Sequence, residues 1–188
     1  NTYNVAVGYN AGGAVTTGIA NTLVGGLAGD ALTDADDNVA LGYSALSTDT
    51  LGSHTTALGK DALFSQNFTT ATDSHNTAVG HSAGVAVTTG VQNTIIGSLA
   101  GDALTDADAN IAIGYFALGG DTLGSKSVAV GASALQNQNF TTATNAFNVA
   151  IGHNAGAIIT TGDQNTIVGS LAGDEMTSGS SNVFVGMQ

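Results

Sequence analysis

A five-residue pattern recurs eleven times along the chain and leaves it few ways to fold. It opens as Asn-Val-Ala-Val-Gly at residues 4–8, and its copies begin at residues 4, 21, 38, 55, 76, 93, 110, 127, 148, 165 and 182. The spacings run 17, 17, 17 and 21 residues and then repeat, so four of these short repeats make up a larger repeat of 72 residues. Residues 4–75 and 76–147 are identical at 46 of 72 positions. We therefore expect residues 1–188 to form a single repeat array.

The repeat is too short for a pair of helices, and its composition disfavours helix. Its fifth residue is glycine in all 11 copies, and its first is asparagine in 9 of 11. A glycine fixed in every repeat would destabilise a helix by about 1 kcal/mol each time. Seventeen residues suit one coil of a solenoid with two short strands and two turns. The predicted fold class is all-β, a parallel β-solenoid. We expect the asparagines to stack as a hydrogen-bonded ladder and the glycines to allow a bend, a bulge or a close backbone approach.

Alternation along the strand indicates apolar side chains on both of its faces. Counted from the first residue of each coil, position four is always Val, Leu or Ile, and position three is never polar. We expect positions two and four to fill the core of the coil and position three to point the other way. A strand that is apolar on both faces is buried on both, so position three should meet copies of the same chain around an axis. The interface candidates are Ala6, Leu23, Ala40, Ala57, Ala78, Ile95, Ala112, Ala129, Ala150 and Ile167.

Charge excludes two classes of partner. Asp and Glu outnumber Lys and Arg by 14 to 2, for a formal charge of -12. Binding to nucleic acid or to an anionic membrane surface needs a basic footprint that two lysines do not supply. No apolar run reaches the roughly 18 residues of a membrane span, and without cysteine there is no disulfide or thiolate metal site. We expect neither a nucleic-acid partner nor membrane insertion of this segment.

Acidic turns recur in the second coil of each 72-residue unit. Calcium prefers several oxygen ligands, but the spacing matches neither an EF-hand loop nor the glycine-rich calcium repeat of β-rolls. A solvated turn is the favoured interpretation, without a bound metal or cofactor. A monomeric calcium-binding solenoid stays as an alternative, and its candidate ligands are Asp30, Asp34, Asp36, Asp102, Asp106 and Asp108.

The 21-residue coils carry four extra residues, which we expect to protrude. Asn67 and Asn139 begin Asn-Phe-Thr sequences that match the N-glycosylation acceptor pattern. The phenylalanines that follow them are expected to fold back onto the rod.

Histidine is the remaining candidate for chemistry. His81 and His153 occupy position six of equivalent coils, where Tyr9 stands in the first copy. A ring of such side chains around an axis is an ion-site hypothesis, although plain packing is favoured. A catalytic set needs unlike residues converging in one pocket, whereas a solenoid repeats like residues along a line. We therefore expect no enzymatic activity.

The repeats resemble a known family. Residues 148–155, Asn-Val-Ala-Ile-Gly-His-Asn-Ala, are similar to the pattern N-[ST]-V-A-I-G-x-x-[SA] in the head repeats of trimeric autotransporter adhesins, the YadA-like head. The likeness extends over all 11 repeat starts. It implies a left-handed parallel β-roll with three chains around one axis, displayed outside a cell. Similar repeats occur in phage tail fibres and in surface proteins that end in an endosialidase-type chaperone.

The resemblance sets the functional expectation. The chain is expected to be a segment of a longer extracellular fibre, homotrimeric and non-enzymatic, at a cell surface or on a virion. Its role would be to project, or to bind a host-surface glycan or protein. A phage tail or capsid fibre with the same fold is the alternative.

Overall fold

The computed structural model describes residues 2–187, and these form a β-solenoid of about eleven coils. One parallel sheet contains eleven strands in chain order. They are β1 (Val5–Val7), β2 (Thr22–Val24), β3 (Val39–Leu41), β5 (Thr56–Leu58), β7 (Thr77–Val79), β8 (Thr94–Ile96), β9 (Ile111–Ile113), β11 (Val128–Val130), β13 (Val149–Ile151), β14 (Thr166–Val168) and β15 (Val183–Val185). Each strand begins one residue after a predicted repeat start, and the predicted fold class is confirmed. Within residues 2–187, no helix is long and apolar enough to cross a membrane.

The prediction of two strands in every coil is wrong. In the described residues 2–187, second strands occur only as the pairs β4 (Gly52–Ser53) with β6 (Thr72–Asp73) and β10 (Gly124–Ser125) with β12 (Thr144–Asn145). Residues with positive φ, such as Leu27 (60°) and Gly29 (54°), turn the chain between the two sides of the coil. The extended stretches left on the second side are short, and backbone hydrogen bonds join neighbouring coils there without forming a continuous ladder.

The glycine at position five allows the backbones of neighbouring coils to approach closely. These glycines have φ between 131° and 140°, a region that other residues rarely adopt. A Cβ added to Gly114 would lie 2.6 Å from the carbonyl carbon and oxygen of Gly131 in the next coil. Glycine is therefore required both by the dihedral angle and by the contact, which confirms the predicted close approach.

Replacing one of these glycines is expected to be costly. Gly114→Ala should lower the free energy of unfolding by at least about 3 kcal/mol, through the strained φ and the collision with the next coil. Gly26→Ala is the matched control, because the nearest atom to its added Cβ would be a ring carbon of Tyr43 at 3.4 Å. Urea unfolding followed by circular dichroism measures both. Equal urea midpoints for the two variants would contradict the requirement for glycine at position five.

The asparagines at position one form the predicted ladder, which is confirmed. Asn93 is buried, and its Oδ1 accepts the backbone N–H of Asn110 in the next coil at 2.9 Å. Its Nδ2 donates to the carbonyl of Ala107 at 2.7 Å, closing its own coil. Each side chain thus satisfies buried backbone groups of two coils. The ladder is interrupted at Thr55 and Ser127, which begin the two 21-residue coils.

The thin core is filled by positions three, eight, nine and twelve, whose volumes compensate for one another. A Cβ on Gly29 would lie 2.8 Å from methyl groups of both Leu23 and Leu32, so position nine must be glycine where positions three and twelve are large. Where position nine is leucine, as at Leu46 and Leu63, position three is alanine and position twelve is Asp or Gln. The 72-residue unit is therefore one cycle of core filling over four coils.

Candidate functional site

The two faces of the sheet are the reverse of those predicted. Position three points into the core of a single coil: from Leu23 to Ile167 the candidate interface side chains are at most 1% exposed, and only Ala6 in the first coil is open. They are therefore unavailable for contact with a second chain. Positions eight, nine and twelve occupy the opposite wall of a narrow interior, so in the first ten coils position three is alanine except where a glycine at position nine leaves room for Leu23, Ile95 or Ile167. The Val, Leu, Ile and Thr side chains of positions two and four point outward.

Positions two and four instead point outward along the whole sheet and form what we call the apolar face, whose side chains are exposed or half-buried. Position four is Val, Leu or Ile throughout, and position two is Val or Ile in six coils and Thr in five. Leu41 is 44% exposed, Ile96 and Ile111 are each 37%, and Ile151 is 42%. Ten coil spacings of about 4.8 Å make this face about 48 Å long. Neither position carries a charged residue in any coil, and all 14 acidic residues lie at position seven or later. A charge-free apolar surface of this length on a highly acidic chain marks an interaction surface.

The acidic turns link successive coils rather than converging on one point. Asp106 Oδ1 accepts the Thr89 hydroxyl at 2.6 Å, and Asp34 accepts that of Thr17. Asp36 Oδ1 and Asp108 Oδ1 accept backbone N–H groups of the preceding coil at 2.7 and 2.8 Å. Throughout residues 2–187, no group of three or more His, Asp or Glu is arranged to hold a metal ion.

Asp30 and Asp102 share a different environment. In each, Oδ1 is buried without a hydrogen-bond partner, and Asp174 repeats the arrangement. Burial raises the pKa of Asp102 above its ordinary value of 3.8, while its hydrogen bond with its own backbone acts in the opposite direction. A carboxyl whose pKa is raised by folding makes the folded state less stable once it ionises. No ligand role follows, because the buried oxygen is closed to solvent.

Removing the charge at Asp102 should stabilise the chain at neutral pH. Because the folded pKa lies above the unfolded value, the penalty is fully present above the folded pKa and disappears as pH falls toward 3.8. Asp102→Asn should raise the urea midpoint at pH 7, with a smaller gain at pH 4. Glu175→Gln removes an equal charge at an exposed side chain and serves as control. A gain that is equal at both pH values would contradict this origin.

Both glycosylation candidates lie within the coil rather than on the protruding part. Asn67 Oδ1 and Asn139 Oδ1 each accept a threonine hydroxyl of the preceding coil at 3.2 Å, from Thr50 and Thr122. Asn139 is exposed and Asn67 is half-buried. The phenylalanines that follow are only 6% and 7% exposed, which confirms that they fold back. The exposed part of each insert begins after them, at residues 69–71 and 141–143.

A buried polar network, which sequence reasoning missed, anchors each insert. Asp49 is fully buried, and its Oδ1 accepts the backbone N–H groups of Gly52 and Phe68 at 3.1 and 2.9 Å. Its Oδ2 accepts Gln66 Nε2 at 2.6 Å, and Gln66 Oε1 accepts Asn76 Nδ2 at 2.9 Å. Asp121, Gln138 and Asn148 repeat the arrangement. The available signal was the return of Asp and Gln at position twelve, which is apolar in the other coils.

The hydrogen bonds of this network all donate in one direction, from Asn76 to Gln66 and from Gln66 to Asp49, so the last residue must be a carboxylate that only accepts. Asp49→Asn would point an amide NH₂ at the NH₂ of Gln66, and turning Gln66 over would only move the conflict to Asn76. An unsatisfied buried donor costs about 2 kcal/mol, which is the expected loss in free energy of unfolding by urea titration. Asp106→Asn is the control, since the exposed Asp106 needs only Oδ1 to accept from Thr89. Equal losses in the two variants would contradict this account.

The four histidines lie on two edges of the coil. His81 and His153 are exposed at position six, beside the apolar face. At the other edge, His54 Nδ1 lies 3.1 Å from Asp73 Oδ1, and its Nε2 lies 3.7 Å from Asp37 Oδ2. The His75 ring centroid is 5.3 Å from that of His54. All four of these histidines are exposed to solvent.

Comparison with known proteins identifies no relative of this chain. No protein-family model, curated protein or solved structure matches the chain.

Proposed function

We propose that this chain is a non-enzymatic segment of an extracellular fibre in which three copies pack through the apolar face of positions two and four. The observation that carries the proposal is the uninterrupted, charge-free face along eleven strands. Burial of about 25 cal/mol per Å² of apolar surface favours its removal from water. The resemblance of the repeats to adhesin heads supports three copies and an extracellular location.

The rest of the coil supports a structural role. Asp49, Asp106 and Asp108 each accept hydrogen bonds from a neighbouring coil and so hold coils together. A cleft of about 440 Å³ at the last strand is lined by residues such as Phe184 and Met187, none of them titratable. The fibre's role is to project, with the exposed outer surface available to a surface glycan or protein.

Two neighbouring residues with opposite orientation test the proposal. Ile111→Asp places a charge on the exposed face and should abolish assembly while leaving the chain folded. Ala112→Asp places the same charge in the core, where it should cost several kcal/mol and unfold the chain. Ala71→Asp adds the charge in the exposed part of the insert, on the other side of the coil, and should change neither property.

Sedimentation and light scattering give the mass of each variant, and circular dichroism gives its fold. The expected wild-type result is a trimer mass with an elongated shape. A wild-type monomer, or an Ile111→Asp variant that still assembles, would contradict the proposed packing.

A further inference from the structure

The outward column at position six borders the apolar face and carries large exposed rings. Tyr43 and Tyr115 are 55% and 59% exposed, and Tyr9 is 83% exposed. The Tyr43 ring reaches back over the preceding coil, where one of its carbons lies 3.4 Å from the position of a Cβ on Gly26. Exposed aromatic rings next to an apolar face are typical of contact surfaces rather than of free surface.

The rings are spaced at every second coil. The first five odd-numbered coils carry Tyr9, Tyr43, His81, Tyr115 and His153 at position six, and the eleventh coil carries Met187 there. The even-numbered coils carry Gly26, Lys60, Ser98, Ala132 and Ser170. Apart from Lys60, small residues therefore separate the rings along the column. The column is continuous with the apolar face, so a copy of the chain seated on that face also meets the rings.

Resting on the proposed assembly, we propose that the position-six column belongs to the contact between copies and that its histidines make this contact sensitive to acid. In a symmetric assembly each copy supplies the same residues. His81 and His153 would then approach their counterparts or lie in the same closed contact. Histidine gains a proton between pH 8 and pH 5, and like charges in a contact oppose association.

The groups that flank the two histidines do not offset this charge. Backbone hydrogen bonds of 2.9 and 3.0 Å place Lys60 in the coil before His81 and Leu99 in the coil after it. Lys60 Nζ is itself paired with Asp61 at 2.6 Å. The coils next to His153 supply Ala132 and Ser170 to the column, and neither residue titrates. The Lys60–Asp61 pair is neutral overall, so the flanking coils offer no net negative charge to a protonated His81 or His153.

The chain offers its own acid-insensitive replacement, because Tyr9 occupies the position equivalent to both histidines. We expect the concentration at which half of the wild-type chains are assembled to rise at least about tenfold from pH 8 to pH 5, equivalent to one pKa unit of linkage. The His81→Tyr/His153→Tyr double variant should lose most of this rise. Sedimentation over a concentration series at both pH values measures it, with circular dichroism confirming that the chains stay folded.

Two further variants separate the contact from its acid response. His54→Gln/His75→Gln removes the other histidines, using the residue found at the end of the coil in Gln92 and Gln164, and should keep the wild-type acid response. Tyr43→Ser/Tyr115→Ser introduces the residue of Ser98 and Ser170 and should weaken assembly at both pH values.

Each contrary outcome has a separate meaning. A wild type equally assembled at pH 8 and pH 5, or a His81→Tyr/His153→Tyr variant as acid-sensitive as wild type, would overturn the acid response. Unchanged assembly of Tyr43→Ser/Tyr115→Ser would remove the column from the contact, even if the trimer persists. A wild type that is monomeric at pH 8 would instead overturn the proposed assembly itself.

Discussion

The close backbone contact at position five is the constraint on which the rest of the structure depends. From Gly8 to Gly169, each of these glycines sits where a side chain would enter the backbone of the next coil, as Gly114 does against Gly131. The contact fixes the register, so every position of the coil becomes a column along the rod. Asn93 can then reach Asn110 and Ala107 at once, because the two coils cannot slide against each other.

The same stacking makes the interior so thin that its residues must be chosen together. Leu46 and Leu63 have φ of 53° and 49°, values that cost a non-glycine residue about 1 kcal/mol or more. These coils accept that cost because a leucine at position nine fills volume that alanine at position three leaves empty. The polar groups Asp49 and Gln66 enter the core in these coils, where they hold the extra residues of the longest repeat. The strained leucines, the filling of the core and the anchoring of the insert are thus coupled, and the same combination recurs once in every 72 residues.

The surface is divided as sharply as the core. Acidic residues lie away from the sheet face, and several of them, such as Asp36 and Asp106, bond to the coil before them. This leaves the outward face of positions two and four without charge. The proposed fibre uses that division: the apolar face contacts other copies, and the acidic remainder keeps the assembly in solution. The histidines at position six lie on the border between the two regions.

The sequence by itself determined the period, the solenoid, the asparagine ladder and the glycine contact between coils, because these follow from spacing and from residues with few conformational options. The eleven starts predicted eleven coils, each with a strand just after its start, and the invariant glycine predicted the close approach; the second strand expected in every coil was wrong. Alternation also showed that position three opposes positions two and four. It did not determine which side is inside, since that depends on the width left by positions eight, nine and twelve. Only the tertiary structure decided that Ala112 is core and Ile111 is surface. It also decided that Asp49 meets Gln66 and Asn76, because that network joins residues from three different coils.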